Sequence, residues 1–287
     1  MGMDGSRVQD FLELASRLAR EAGEVSIARI NDAHASRKSD DTVVTTTDHA
    51  IQARILRALS EFFPDHAVCA EEALPPPLAK GGIGGVCAAG APADVSAARF
   101  CWVVDPLDGT RNYVSGLPCF ATSIAVLERG QPVAAVVYEH NQRLLFSAGA
   151  GGGAYLNGRR IHVDDPPRHG DYLLGIPSTK DALSLEVTRN WLGTKGFICR
   201  NLGAITVHLA LVAAGSMAGA FGRQAKLWDV AAGALLVAEA GGRITDPFGG
   251  DLLPFRLDAD PQRDIPFLAA GPVMHERLLE SIRSATI

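Results

Sequence analysis

The 287-residue sequence is poor in cysteine: it has five, Cys69, Cys87, Cys101, Cys119 and Cys199, odd in number and without a CxxC pair. That pattern argues against a disulfide framework or a zinc site and fits a reducing cytoplasm. Nothing approaches the roughly 18 to 20 consecutive apolar residues of a membrane span, so no membrane association is expected. No stripe of Lys or Arg could neutralise a line of phosphates, and the net charge is only −5, so a nucleic acid polymer is not an expected partner. The start, Met1-Gly2-Met3-Asp4-Gly5, runs into an amphipathic stretch without the charged lead and continuous apolar run of a signal peptide. What is present is 47% apolar and 21% charged residues, the composition of an ordinary globular enzyme or binding protein. A small anionic ligand stays open, because backbone N–H groups and a metal can bind phosphate on a mildly acidic protein.

Two amphipathic helices open the chain. Val8, Phe11, Leu12, Ala15, Leu18, Ala19 and Ala22 recur at three and four residues, and Ile51, Ile55, Leu56, Leu59 and Phe62 repeat the spacing, with Thr47 or Asp48 as the expected N-cap and Pro64 as the stop. The stretch 73–98 is Ala, Gly and Pro with Lys80 and Asp94 as its only charges, and it reads as a mobile loop. Its glycines do not make a dinucleotide fingerprint, since no apolar strand precedes them and Cys87 stands where the third glycine would be. Strands are expected at Phe100–Val104, Phe120–Leu127, Pro132–Tyr138 and Leu144–Ala148, and Asn157-Gly158 signals a two-residue hairpin. Residues 1–165 therefore read as two helices on an antiparallel sheet. Residues 166–287 alternate strands and helices as an α/β half, with the two halves making one α+β domain.

The chemistry is densest at Trp102-Val103-Val104-Asp105-Pro106-Leu107-Asp108-Gly109-Thr110-Arg111-Asn112. An apolar strand ends in two carboxylates three apart, and Pro106 fixes φ between them so that the turn can aim both at one point. Paired anions repel unless a proton or cation sits between them, and a hard divalent ion such as Mg2+ suits such ligands. Gly109 permits close backbone approach, and the N–H groups after Asp108 could face an anion. The plainer role is an Asp-Pro turn and a helix cap. Three other acidic sites carry the same two options: Asp48 caps a helix or serves Thr110, Glu71 and Glu72 form a solvated strand edge or a site, and Asp229 caps an apolar helix or meets a metal.

Together, Val44-Thr45-Thr46-Thr47-Asp48, Ala70-Glu71-Glu72, the segment 102–112 and Leu227-Trp228-Asp229-Val230-Ala231-Ala232-Gly233 resemble the inositol monophosphatase family, in order and approximate spacing across most of the chain. The resemblance implies the layered α/β/α/β/α sandwich shared with fructose-1,6-bisphosphatase and a Mg2+-dependent, Li+-sensitive hydrolysis of a small phosphate monoester by a homodimer. It implies that Glu71, Asp105 and the Leu107 carbonyl hold one Mg2+, that Asp105, Asp108 and Asp229 hold a second, and that Glu71 shares a third. Asp48 and Thr110 would activate water, and Gly109 and Thr110 would give N–H groups to phosphate. The sequence departs from the inositol pattern at Gly222, where the inositol enzymes have Glu, and in a longer loop after Glu72. Arg200, Arg223 and Lys226 lie near the implied leaving-group pocket. Fructose bisphosphate, histidinol phosphate and adenosine 3',5'-bisphosphate are therefore alternative substrates, and a non-catalytic phosphate- or metal-binding regulator is the alternative of another class.

Overall fold

The computed structural model describes residues 5–32, 35–37, 43–72, 86–88, 95–165, 171–178, 181–257, 260 and 262–285. Helix α1 (Gly5–Arg29) leads through a 3-10 turn to a two-stranded ribbon, β1 (Ala35–Arg37) and β2 (Val43–Thr45), and then to α2 (Thr46–Phe62). Strands β3 (Ala67–Ala70), β4 (Val86–Ala88) and β5 (Phe100–Asp108) precede a short helix, α3 (Thr110–Val114). Strands β6 (Ala121–Glu128), β7 (Gln131–Glu139), β8 (Leu144–Gly149), β9 (Gly153–Leu156) and β10 (Arg159–Ile161) follow. Then come β11 (Tyr172–Gly175), α4 (Ala182–Gly193), β12 (Phe197–Arg200), α5 (Ile205–Ala213) and β13 (Gly219–Gly222). The chain closes with α6 (Leu227–Glu239), β14 (Arg243–Thr245), β15 (Phe267–Ala270) and α7 (Pro272–Ala285).

Eight strands form one sheet in the order β10-β9-β8-β7-β6-β5-β3-β4, and five form a second in the order β12-β11-β13-β15-β14. The central strand β5 reads as an unbroken apolar run because both of its faces are covered. Phe100, Trp102 and Val104 pack with Phe11, Leu18, Ile55 and Leu59 of α1 and α2, whereas Cys101 and Val103 pack with Leu209 of α5 and Trp228 and Leu236 of α6. The outer face of the second sheet is covered by α4 and α7, through Val187, Trp191, Met274 and Leu278 against Phe221 and Leu268. The layers thus run α/β/α/β/α, as expected. The side-chain alternation also places Asp105, two residues after Val103, on the face that looks at α6.

Several local expectations change. The first sheet is mixed rather than antiparallel, because β3 pairs in parallel with both β4 and β5. Strand β4 lies within the stretch read as a loop; residues 73–85, with their glycines, and 89–94 lie outside the described residues. Strand β5 does not stop at Val104 but continues to Asp108 through a register break between Asp105 and Asp108. The cap of α2 is Thr45, with Asp48 in the third helical position of a capping box. The hairpin at Asn157-Gly158 has the left-handed φ values, 49° and 77°, that its turn type requires.

The middle layer is thin because Gly233 of α6 meets α5 directly. A Cβ there would sit 2.5 Å from Leu209 Cβ, an atom too near the backbone to swing aside. Gly233→Ala is expected to destabilise the protein by about 1 to 3 kcal/mol through overpacking. Thermal denaturation checks this, and an unchanged melting temperature would contradict the close approach.

Candidate active site

Asp48 is fully buried, and each of its oxygens has a separate task. Oδ2 accepts from the Thr45 N–H at 2.9 Å and from the Thr45 hydroxyl, which is the capping role. Oδ1 faces the other way and accepts from Thr110 Oγ1 at 3.1 Å, across 62 residues of sequence. The Thr110 hydroxyl also lies 2.9 Å from the Leu107 carbonyl, so its single proton has two acceptors within reach.

The carboxylate turn is held by its own backbone. Asp105 Oδ1 accepts from Leu107 N–H at 3.0 Å, closing a tight turn around Pro106. Asp108 Oδ2 accepts from the N–H and hydroxyl of Thr206, in the first turn of α5, at 2.8 and 2.6 Å. The Gly109 N–H bonds to the Asp108 carboxylate as well, so in this state it serves the turn rather than an outside anion. Gly109 itself has φ 84°, and a Cβ there would lie 2.8 Å from the Cys119 carbonyl, so only glycine fits.

Glu71 and Asp229 arrive from either side. Strand β3 runs beside β5, and Glu71 N–H bonds to the Val104 carbonyl at 3.1 Å, which sets Glu71 next to Asp105. Buried Gln52 of α2 clamps the following residue, donating to Glu72 O at 2.6 Å and accepting from Glu72 N at 2.9 Å. Glu72 is 2% exposed, so the plain reading as a solvated edge does not hold for it, whereas Glu71 is half-buried. Asp229 stands in the first turn of α6, where Oδ2 accepts from Lys226 N–H at 2.7 Å. Ser123 of β6 ties that turn to the sheet by donating to the Trp228 carbonyl at 3.3 Å.

Three of these carboxylates, Asp105, Asp108 and Asp229, are raised by burial and by acidic neighbours. Asp105 is pushed well above the usual carboxylate range by burial first and then by Glu71, Asp108 and Asp229. A side-chain hydrogen bond with Glu71 adds to the rise. Burial and Asp108 raise Asp229 likewise, against a lowering by the Lys226 backbone. Asp108 reaches about 6, raised by burial and held down by Thr206, and Asp48 reaches about 6, raised mainly by burial. Among the described residues no three such side chains yet close on one point. Oxygens of Asp105, Asp108 and Asp229 rest instead on the N–H and hydroxyl groups just named. An all-oxygen donor set whose charges oppose one another fits a hard divalent cation.

The implied substrate residues are less concentrated. Arg223 pairs with Asp181 at 3.2 Å, Lys226 pairs with Asp264 at 2.8 Å, and exposed Arg200 donates to the Cys199 carbonyl at 2.9 Å. Gly222 lies across from Phe267, and a Cβ at Gly222 would stand 2.5 Å from the Phe267 ring. Sequence reasoning missed Thr206 and Gln52, since each looks like an ordinary polar residue in a helix. A cleft of about 1450 Å3 along α1 and the Gly149–Gly153 turn contains none of these carboxylates, so size alone does not mark the site.

A model of the inositol monophosphatase family matches residues 7–286. The chain is 35% identical to the phosphatase IMPL1, chloroplastic, of Arabidopsis thaliana, over 96% of this chain and 71% of that protein. It is 36% identical to the Nus factor SuhB of Pseudomonas aeruginosa, over 83% of this chain and 86% of that protein. The crystal structure of the extragenic suppressor protein suhB from Bartonella henselae superposes with a TM-score of 0.80 at 28% identity, covering 96% of this chain and 98% of that one. The chain belongs to the inositol monophosphatase family, a family of phosphatases.

Raised folded-state values mean that the metal-free native protein binds protons which the unfolded chain, with carboxyls near 3.8, does not. The stability these groups contribute is therefore present at low pH and lost as pH rises through about 6 and beyond. In chelator, Asp105→Asn is expected to melt above the parent near about pH 8, with the gain shrinking toward about pH 5. The neutral buried histidines His66, His140 and His208 oppose this trend but cancel between parent and variant. A variant that melts lower than the parent at high pH would refute the mutual repulsion.

Proposed function

We propose that this member of the family hydrolyses a small phosphate monoester with two to three Mg2+ ions, held by Glu71, Asp105, Asp108, Asp229 and the Leu107 carbonyl. In the division of ligands, Glu71, Asp105 and Leu107 serve one ion, Asp105, Asp108 and Asp229 a second, and Glu71 shares a third. The hydrogen bond from Thr110 Oγ1 to Asp48 Oδ1, at 3.1 Å, is the observation that carries the reading. When bound, the cations supply Lewis-acid stabilisation of the phosphoryl oxygens and of the charge developing on the attacking and leaving oxygens.

The chain's own part is to move a proton. With its hydrogen directed at Asp48 Oδ1, Thr110 Oγ1 has lone pairs left to accept a proton from the attacking water as its own passes to Asp48. Asp48 suits this task because its carboxyl, raised to about 6 chiefly by burial, is ionised at neutral pH and yet basic enough to take the proton. The two bonds from Thr45 to Oδ2 keep Oδ1 turned toward Thr110. Gly109 and Thr110 would contribute N–H groups to the phosphate once Asp108 turns to a cation.

Gly222 supports a substrate other than an inositol phosphate. No acceptor side chain stands there for ring hydroxyls, and Phe267 occupies the space one would need. A second phosphate or a carboxylate on the substrate would have to draw Arg223 from Asp181 or Lys226 from Asp264, or else meet Arg200. The same reading makes the enzyme a homodimer of a reducing cytoplasm.

Phosphate release is measured across inositol, sugar, histidinol and nucleotide phosphates, with and without Mg2+. Thr110→Val and Asp48→Asn are expected to lower kcat by about 10²- to 10⁴-fold, with Mg2+ half-saturation near that of the parent, whereas Asp105→Asn raises the Mg2+ requirement. As Asp48 takes a proton, kcat falls on acidification through about pH 6. Li+ at millimolar level is expected to inhibit. Release of no phosphate from any ester, or a fully active Thr110→Val, would end the reading.

A further inference from the structure

We propose that His140 is a positioning residue for the carboxylate turn: as its Nε2–H tautomer it directs the Thr122 hydroxyl onto the carbonyl of Pro106, between Asp105 and Leu107. The proposal rests on the reading of that turn as the metal-holding element.

Five buried groups form a line. Ser26 Oγ lies 2.9 Å from the Gly23 carbonyl and 2.7 Å from His140 Nδ1; His140 Nε2 lies 3.0 Å from Thr122 Oγ1; and Thr122 Oγ1 lies 2.8 Å from the Pro106 carbonyl. Gly23 makes the line possible. A Cβ there would be 2.6 Å from the Tyr138 ring and 3.3 Å from His140 Cδ2, so only glycine lets α1 come this near the end of β7. The backbone of His140 is fixed too, its N–H bonding to the Phe120 carbonyl at 3.1 Å.

Each hydroxyl has one proton, and the neutral ring has one, so only two arrangements satisfy the line. In the first, Ser26 donates to Nδ1, Nε2–H donates to Thr122, and Thr122 donates to Pro106. In the second every bond reverses: Thr122 donates to Nε2, Nδ1–H donates to Ser26, Ser26 donates to Gly23, and the Pro106 carbonyl loses its hydroxyl.

The two ends decide between them. Gly23 lies inside α1, where its carbonyl already receives the helix bond from the residue four further on. Pro106 lies in the register break of β5, opposite Thr122 between the Asp105–Ser123 and Asp108–Ala121 pairs, where the regular ladder is interrupted. Leaving a buried carbonyl unpartnered is the costlier choice, so the first arrangement prevails. Burial keeps the ring neutral, its pKa lowered to about 3, so the tautomer is its remaining freedom. The chain Ser26–His140–Thr122 thereby braces the turn from the α1 side while Thr206 braces it from the α5 side.

Long-range ¹H–¹⁵N NMR of the histidine rings in metal-free protein tests the tautomer directly. His140 is expected to carry its proton on Nε2 and none on Nδ1; the reverse overturns the proposal. Mg2+ binding is then measured by calorimetry. The amide nitrogen of Gln falls where Nε2 lies and that of Asn where Nδ1 lies. His140→Gln and Thr122→Ser should therefore bind Mg2+ about as the parent does, while His140→Asn and Thr122→Val weaken binding by about 10-fold. Equal loss in Gln and Asn, or no loss in Thr122→Val, overturns it, with metal-free melting curves confirming that each variant folds. Should no ester be hydrolysed while tautomer and Mg2+ binding match expectation, the proposed function fails and the positioning role stands. A reversed tautomer in an active phosphatase removes the positioning role and leaves the proposed function standing.

Discussion

The constraint on which the structure turns is the burial of like charge. Glu71 stands just past β3, Asp105 and Asp108 in β5 and Asp229 in α6, and the three aspartates are pushed above the usual carboxylate range by lost hydration and by acidic neighbours. A fold gains nothing from such an arrangement unless something neutralises it. Much of the surrounding polar structure is explained as a means of holding these groups in place meanwhile: the Thr206 pair on Asp108, the Lys226 N–H on Asp229, the Leu107 N–H on Asp105 and the Gln52 clamp behind Glu71.

Layering makes the meeting possible. A strand buried on both faces sends alternate side chains into different layers, so the face of β5 that carries Cys101 and Val103 into the α5–α6 layer carries Asp105 there as well. The first turn of α6 is seated on β6 by Ser123, and its thin contact with α5 at Gly233 draws the helices together between the sheets. Thus one chain alternation and one glycine bring residues 105 and 229 into a common space. Apolar packing of the middle layer and electrostatics of the site are two consequences of the same placement.

That explains which features were legible in the sequence. The apolar run into Asp105-Pro106-Leu107-Asp108, the amphipathic helices and the Asn157-Gly158 hairpin are local signals, and the structure has them. The Asp48–Thr110 bond was inferable only because motifs from distant segments were read together. Less legible were features set by tertiary pairing. Strand β4 sits in an Ala, Gly and Pro-rich stretch with weak strand propensity and forms by adding to the edge of β3. The parallel pairings of β3 could not be told from antiparallel ones by side-chain pattern, since both faces are buried. Thr45 displaced Thr47 as the cap because the helix begins one residue after a strand, which leaves Asp48 to cap and to face Thr110 at once. His140, Thr122 and Ser26 lie on three elements, and nothing in their sequence neighbourhoods announces that they meet.

The two sides of the proposed site differ in kind. On the carboxylate side, oxygens are held by backbone N–H groups and buried side chains. On the other side, Arg223 and Lys226 are held by Asp181 and Asp264 in pairs whose side chains remain 24 to 49% exposed. Pairs that open to solvent contribute only about 0 to 1 kcal/mol each, so on the proposed function an anionic substituent would compete with a weak pair at Arg223, and at Lys226 also with the bond to the Gln262 carbonyl. Gly222 adds no polar group and Phe267 fills its space. On the proposed function, chemistry on phosphate would be built into the firmly held half, and the choice of ester would depend on shape at Phe267 and on cations that can exchange partners.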